Sequence, residues 1–236
     1  MKLFGKKALL DNIQSKKIIK AYVTNNNDII SVLKKNQIPF ELVSNSYFNN
    51  FDITLNHQGV VIDVINDKKY ESIDEFLATN DVKQSIIVIV DAIQDPHNFG
   101  AILRTCDAFG VDAVIYKKDN QVQINELVIK TSTGAVNNLN LFKVTNLNET
   151  IAKLKDHGYW IYASALQSDS HDANAVVYDA KTVLIVGNEE HGISPLLLSK
   201  ADHVVKIPMF GIVQSLNVSV ATGILLNNIK KSISKK

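Results

Sequence analysis

Arginine is almost absent from this chain. Among 236 residues there are 25 lysines and arginines, and a single one, Arg104, is arginine. A composition drifting toward lysine writes lysine wherever a plain cation serves. A retained guanidinium then marks a place that needs a rigid planar fork of donors, matched to phosphate or carboxylate. The competing reading is chance survival in a biased composition. Cysteine is equally scarce: Cys106 stands alone, which excludes an internal disulfide and leaves the role of a small buried apolar residue. No apolar stretch reaches the roughly 18 residues of a membrane span. The opening MKLFGKKALLDNIQ has lysines but no signal-peptide apolar core, so a cytoplasmic location is expected. No G-x-G-x-x-G follows a strand and no G-x-x-x-x-G-K-[ST] or G-x-S-x-G occurs, against a standard dinucleotide fold, a P-loop NTPase and a nucleophile-elbow hydrolase. His57, His97, His157, His171, His191 and His203 show no metal-ligand spacing, so no metal is expected.

What is present is an ordinary globular composition, 46% hydrophobic and 21% charged. The length allows one large domain or two small ones. Net charge is unevenly spread. Residues 1–40 carry eight lysines against Asp11 and Asp28, a net of +6, and residues 41–85 carry three lysines against eight acids, a net of −5. A basic N-terminal face suits a polyanion, although lysines also simply solvate small domains. The tail from Lys230 to Lys236 reads as a solvated end.

Residues 5–14 predict a short helix, 18–24 a strand, and 29–35 a helix capped by Asn27 or Asp28. Residues 40–43 and 60–65 predict two more strands. This is a small α/β unit over 1–66. A polar stretch, 67–85, with a weak helical patch at Ile73, Phe76 and Leu77, reads as a linker. From residue 86 to 236 the pattern changes. Ile86-Ile87-Val88-Ile89-Val90 is continuously apolar and β-branched, as in a parallel strand buried on both faces. Similar cores recur at 113–116, 160–165, 183–186 and 204–207, with helical stretches such as 149–157 and 194–201 between them. The fold class is therefore α/β with a largely parallel sheet, in which ligands sit in loops beyond the carboxyl ends of strands.

Three such loops carry chemistry. Asp95–Arg104 follows the first strand. Pro96 ends the ladder, Asn98 and Gly100 open a helix, and Arg104 lies about one turn past Gly100. Asn98 offers a donor and an acceptor, for a ligand or as a helix cap. Gly187–Gly192 is a polar loop between two glycines, which lets backbone approach a ligand or simply turns the chain. Ile207-Pro208-Met209-Phe210-Gly211 leads to Ser215-Leu216-Asn217, where Ser215 or Asn217 starts an apolar final helix through Ile224, Leu225 and Leu226. That apolarity fits packing against a second copy of the chain, or packing within one chain.

Together DPHNFGAILR at 95–104, GNEEHG at 187–192 and IPMFGIVQSLNVSVA at 207–221 resemble the three motifs of the SpoU/TrmH family, SPOUT-superfamily RNA ribose 2′-O-methyltransferases. Order and spacing match over roughly residues 85–230. The preceding segment, with Gly5-Lys6 and His57-Gln58-Gly59-Val60, is similar to the ribosomal-protein L30e-like substrate-binding domain of the subgroup acting on a guanosine of 23S rRNA. The resemblance implies a C-terminal domain with a deep trefoil knot, S-adenosyl-L-methionine (AdoMet) as methyl donor, RNA as substrate and a homodimer. Carried over by motif, Gly187, Ile207 and Leu216 would contact AdoMet, with Thr133, Gly134 and Ala135 nearby. Asn98, Arg104, Glu189, Ser215 and Asn217 would form the reaction centre. The second motif usually has glycine after its glutamate; here Glu190 stands there.

The expected function is 2′-O-methylation of a guanosine in the peptidyl-transferase-region loop of 23S rRNA. A tRNA guanosine is the alternative substrate. A non-catalytic RNA-binding or ribosome-assembly protein is the alternative of another class.

Overall fold

In the computed structural model, residues 2–13, 18–51, 57–64, 70–168, 170–188, 190–213 and 215–234 are described. The chain divides into two units, Met1–Lys68 and Lys69–Lys236.

The first unit contains β1 (Lys2–Phe4), α1 (Lys6–Ile13), β2 (Ile18–Val23), α2 (Asn27–Lys35), β3 (Phe40–Leu42) and β4 (Val60–Val64), with a 3-10 turn over Asn45–Asn50. Its sheet runs β1-β4-β2-β3, antiparallel except for the β2–β3 pair. The cap of α2 is Asn26, one residue before the expected pair, and its side chain accepts from the Ile29 amide. A run of three asparagines and an aspartate offers several Asx caps, and pattern alone does not pick the frame. The His57-Gln58-Gly59 turn enters β4 with positive φ at Gln58 (48°) and Gly59 (72°). The Gln58 amide oxygen accepts the Lys6 N–H, tying this turn to the start of α1.

The second unit opens on α3 (Ile73–Thr79), inside the stretch expected as a linker. Ser72 caps it, and Ile73, Phe76 and Leu77 are buried in the core with Ile87, Ile89 and Leu154. The apolar patch that looked too weak for an element is a full core face on a helix of two turns. β5 (Ser85–Val90), β6 (Ala113–Lys117), β7 (Asn140–Val144), β8 (Trp160–Ser164), β9 (His171–Asp172), β10 (Lys181–Val186) and β11 (His203–Lys206) form one sheet in the order β7-β6-β5-β10-β8-β11-β9. Its described pairings are all parallel.

Every residue of β5 is buried. Ile86, Val88 and Val90 enter one core with α4 (Pro96–Ala108) and α8 (Val218–Ile233), while Ile87 and Ile89 enter the other with α6 (Leu147–Asp156) and α7 (Pro195–Leu198). Period-two alternation into two apolar layers explains the unbroken β-branched run. α5 (Glu126–Thr131) packs closely on α4, where a Cβ at Gly100 would lie 2.6 Å from the Thr131 Cβ. α7 is four residues long, shorter than the expected 194–201.

Leu225, Leu226 and Ile229 are fully buried in the core that α8 shares with Phe99, Ile102 and Cys106. The Leu225 face thus serves its own chain, not a second copy. Cys106 is the small buried apolar residue expected, and burial pushes its thiol pKa up, which makes it a poor nucleophile. No described helix is long and apolar enough to cross a membrane.

Candidate active site

Strands β10, β8 and β11 are neighbours, and the loops leaving their carboxyl ends enclose a cleft of about 160 Å³. Gly187 and Asn188 line it beyond β10, Ser164, Ala165 and Leu166 beyond β8, and Ile207 and Met209 beyond β11. Ser215, Leu216, Val218 and Ala221 close it from the start of α8. Four of the expected site residues, Gly187, Ile207, Ser215 and Leu216, therefore meet in one place.

The loop after β10 is a tight turn built by short-range bonds. Asn188 and Gly192 exchange backbone hydrogen bonds of 3.0 and 2.9 Å. The strands of this turn approach so closely that a Cβ on Gly187 would collide with the Gly192 carbonyl. Gly192 takes a φ of 67°, where L side chains are disfavoured. The Asn188 side-chain oxygen accepts from the amides of Glu190 (2.8 Å) and His191 (3.1 Å). Its Nδ2 donates to the Ala92 carbonyl at 2.9 Å. Next to Ala92, the buried Asp91 carboxylate accepts the Ser194 N–H at 2.9 Å. The second motif, through Asn188, and the residue Ser194 just past it are thus pinned to the segment that leads into the first.

Asp95 caps α4 by accepting the His97 amide, and Pro96 fills the first turn. Asn98 is therefore inside the helix, and its side chain is not the cap. The Asn98 Oδ1 accepts Nδ2 of Asn217 at 2.9 Å, joining the first and third motifs across 119 residues. Asn217 is the cap of α8, its Oδ1 accepting the Ser219 amide (2.9 Å) and hydroxyl (2.6 Å). Of the two expected helix starters, Asn217 does the capping and Ser215 faces the cleft.

Arg104 is exposed on α4 and pairs with no carboxylate among the described residues. It follows Gly100 by one turn and does not line the cleft. Thr133 and Gly134 do not line it either. They form a turn with φ of 51° and 95° ahead of the 3-10 segment Ala135–Asn137, which packs on α4. A β-branched residue held in the left-handed region costs about 1–2 kcal/mol, and such strain concentrates at functional turns. Glu189 lies outside the described residues. Among the described residues, no group of three His, Cys, Asp or Glu is placed to hold a metal.

Sequence reasoning missed Ser164–Leu166, Asn188, Met209 and Asp91. The signal for most of them was available, since they sit at the carboxyl ends of strands whose positions the pattern gave. Asn188 lay within the second motif but looked like one polar residue among several.

Residues 85–227 match the SpoU rRNA Methylase family, and residues 2–70 match the domain described as RNA 2′-O ribose methyltransferase substrate binding. An uncharacterized tRNA/rRNA methyltransferase of Mycoplasma pneumoniae is 42% identical over 229 residues, covering 95% of this chain and 94% of that protein. The crystal structure of an A. aeolicus TrmH/SpoU tRNA modifying enzyme is 38% identical, covers 65% of this chain and 78% of that one, and superposes with a TM-score of 0.59. The SpoU methyltransferase AviRb from Streptomyces viridochromogenes, solved in complex with AdoMet, shares the fold at 17% identity, with a TM-score of 0.79 over 100% of this chain and 91% of that one.

Proposed function

The chain belongs to the SpoU rRNA methylase family, and from that membership we propose that this RNA methyltransferase methylates the ribose 2′-oxygen of a guanosine in 23S rRNA, in the peptidyl-transferase-region loop. The observation that carries the methyl-transfer part of the reading is the convergence of the second and third motifs on one cleft, with the Asn217–Asn98 bond bringing in the first.

The cleft suits AdoMet. Gly187 presents bare backbone, and Leu166, Ile207, Met209 and Leu216 supply apolar surface for an adenine ring. The AdoMet bound by AviRb supports the same donor here. When bound, AdoMet supplies an electrophilic methyl group on a sulfonium and needs no metal.

The protein's task is then positioning, which dominates such transfers. Asn98 and Asn217 form a braced amide pair whose geometry the α8 cap holds. Arg104 holds the RNA phosphate and stabilises alkoxide character on the attacking oxygen, a role of the oxyanion-hole type. A guanidinium stays protonated, so Arg104 is not the base. Glu189 is the proposed proton acceptor.

The match of residues 2–70 to a substrate-binding domain supports an RNA substrate, and the resemblance of the His57-Gln58-Gly59 segment to the 23S rRNA subgroup favours rRNA as the target. A tRNA guanosine is the second reading, favoured by the A. aeolicus tRNA modifying enzyme. The homodimer and the trefoil knot belong to the same proposal. Phe210 (97% exposed), Ile212 (99%) and Val213 (67%) lie beside the cleft loops and support a partner surface there.

Radiolabelled AdoMet, the purified chain and undermodified rRNA or tRNA test the reading. Label in 2′-O-methylguanosine from the rRNA is expected. Label in tRNA alone would select the second reading, and label on a base would overturn both.

A further inference from the structure

The first unit's sheet has two unlike faces. One buries Leu3, Ala21, Val23 and Ile62. The register places Lys2, Phe4, Lys20, Tyr22, Glu41 and Asp63 together on the other, around a fully buried Val61.

This second face carries an aromatic stack that is not sunk into the core. Tyr47, from the 3-10 turn, stacks on Tyr22 with ring centroids 5.2 Å apart and planes 17° apart. Phe51 meets Tyr47 edge-on at 5.6 Å and Phe4 at 5.1 Å. All four rings are half-buried, whereas Phe48 beside them is fully buried. Two ammonium groups flank the stack: the Nζ atoms of Lys2 and Lys20 lie 4.7 and 5.2 Å from the Tyr22 ring centroid.

Both lysines have carboxylate partners, Lys2 with Asp63 at 2.9 Å and Lys20 with Glu41 at 2.8 Å. The four side chains range from 27% to 53% exposed. Ion pairs this open hold weakly, so an incoming phosphate displaces the carboxylates readily. The long-range field helps modestly, since the unit Met1–Lys68 carries nine lysines against six acids, a net of +3.

Half-buried aromatic rings bordered by ammonium groups match the chemistry of an unpaired nucleotide, with aromatic surface for the base and cations for the phosphates. A duplex hides its base faces and gains nothing from such rings. We propose that the Tyr22–Tyr47 stack, with Lys2 and Lys20, is a docking platform for an unpaired base of the RNA substrate. This rests on the reading of the chain as an RNA methyltransferase and says where on residues 2–70 the RNA is held.

The test uses the full chain and two RNA probes, a hairpin with 2-aminopurine in its loop and a fully paired duplex of the same stem. Binding to the hairpin is expected to quench the 2-aminopurine fluorescence, and the duplex to bind more weakly. Tyr22→Leu and Tyr47→Leu keep apolar volume without a ring, and each is expected to weaken hairpin binding by about ten- to a hundredfold, the scale of a lost base stack. Phenylalanine at either position is expected to restore it. Lys2→Gln and Lys20→Gln should each lower the log–log salt slope by about one. Circular dichroism checks that each variant is folded. Folded leucine variants with wild-type hairpin affinity, or an unquenched probe on the wild-type chain, would overturn the platform. A wild-type chain that methylates RNA while these variants bind normally defeats the platform alone. A wild-type chain that methylates no RNA removes the underlying reading as well.

Discussion

Asn217 donates to Asn98 because its own oxygen is already committed. The Asn217 Oδ1 accepts the Ser219 amide as the cap of α8, so its Nδ2 must point outward, and Asn98 must present Oδ1 at 2.9 Å. Cap polarity at the start of one helix thereby fixes the amide orientation on another. Asn217→Asp separates the two roles. Aspartate caps as well as asparagine, so unfolding free energy should stay within about 0.5 kcal/mol. The polarity of the pair reverses, since a carboxylate cannot donate to Asn98, and turnover should fall at least about tenfold. Asn217→Ala should lose about 1 kcal/mol of stability as well. Thermal melts beside methyl-transfer rates check both.

Gly187→Ala and Gly192→Ala make a contrasting pair. At Gly187 the added methyl meets the Gly192 backbone and the turn must open. AdoMet affinity should fall at least about tenfold by calorimetry. At Gly192 nothing lies within 4 Å of an added Cβ, and the cost is the φ of 67° alone. That is about 1 kcal/mol of stability, with a smaller loss of AdoMet affinity. Equal losses at the two positions would argue against the close approach as the reason for Gly187.

Arg104→Lys should lower turnover by about 100-fold or more, the scale of one lost oxyanion donor. The side chain is exposed and holds no ion pair among the described residues, so the melting temperature and AdoMet affinity should stay close to wild type. Near-normal turnover in steady-state assays would remove the proposed role.

Leu225→Glu places a carboxylate where the side chain is fully buried, at a cost of several kcal/mol, so the variant should fail to fold by circular dichroism. Val220, on the same helix, is 51% exposed, and Val220→Glu should fold normally. If the outward side of α8 joins two copies, sedimentation should show Val220→Glu as a monomer.

Much of the second unit was legible because its central strands are buried on both faces. The run Ile86–Val90 is short and wholly β-branched, which favours a doubly buried strand over a buried helix. The elements that escaped are those whose burial is one-sided or brief. β7, at the sheet edge, reads Asn-Leu-Phe-Lys-Val with only Phe142 buried, and β9 is two exposed residues. α3 is short, and three core residues in seven do not sustain a helical period against charged surroundings. In the site, the glycines and the Asn98–Asn217 motif ends were visible as types. Their partnership was not, because a contact across 119 residues leaves no local trace. The same holds for Asp91, whose buried bond to Ser194 is made by tertiary structure alone.

The most direct measurement is a map of ribose methylation in 23S rRNA and tRNA from cells with and without this gene, read as resistance to alkaline cleavage. If this chain methylates 23S rRNA, one guanosine there loses its resistance when the gene is removed, and regains it with the wild-type gene but not with Arg104→Lys. Unchanged resistance throughout the rRNA, with or without a change in tRNA, would contradict that reading.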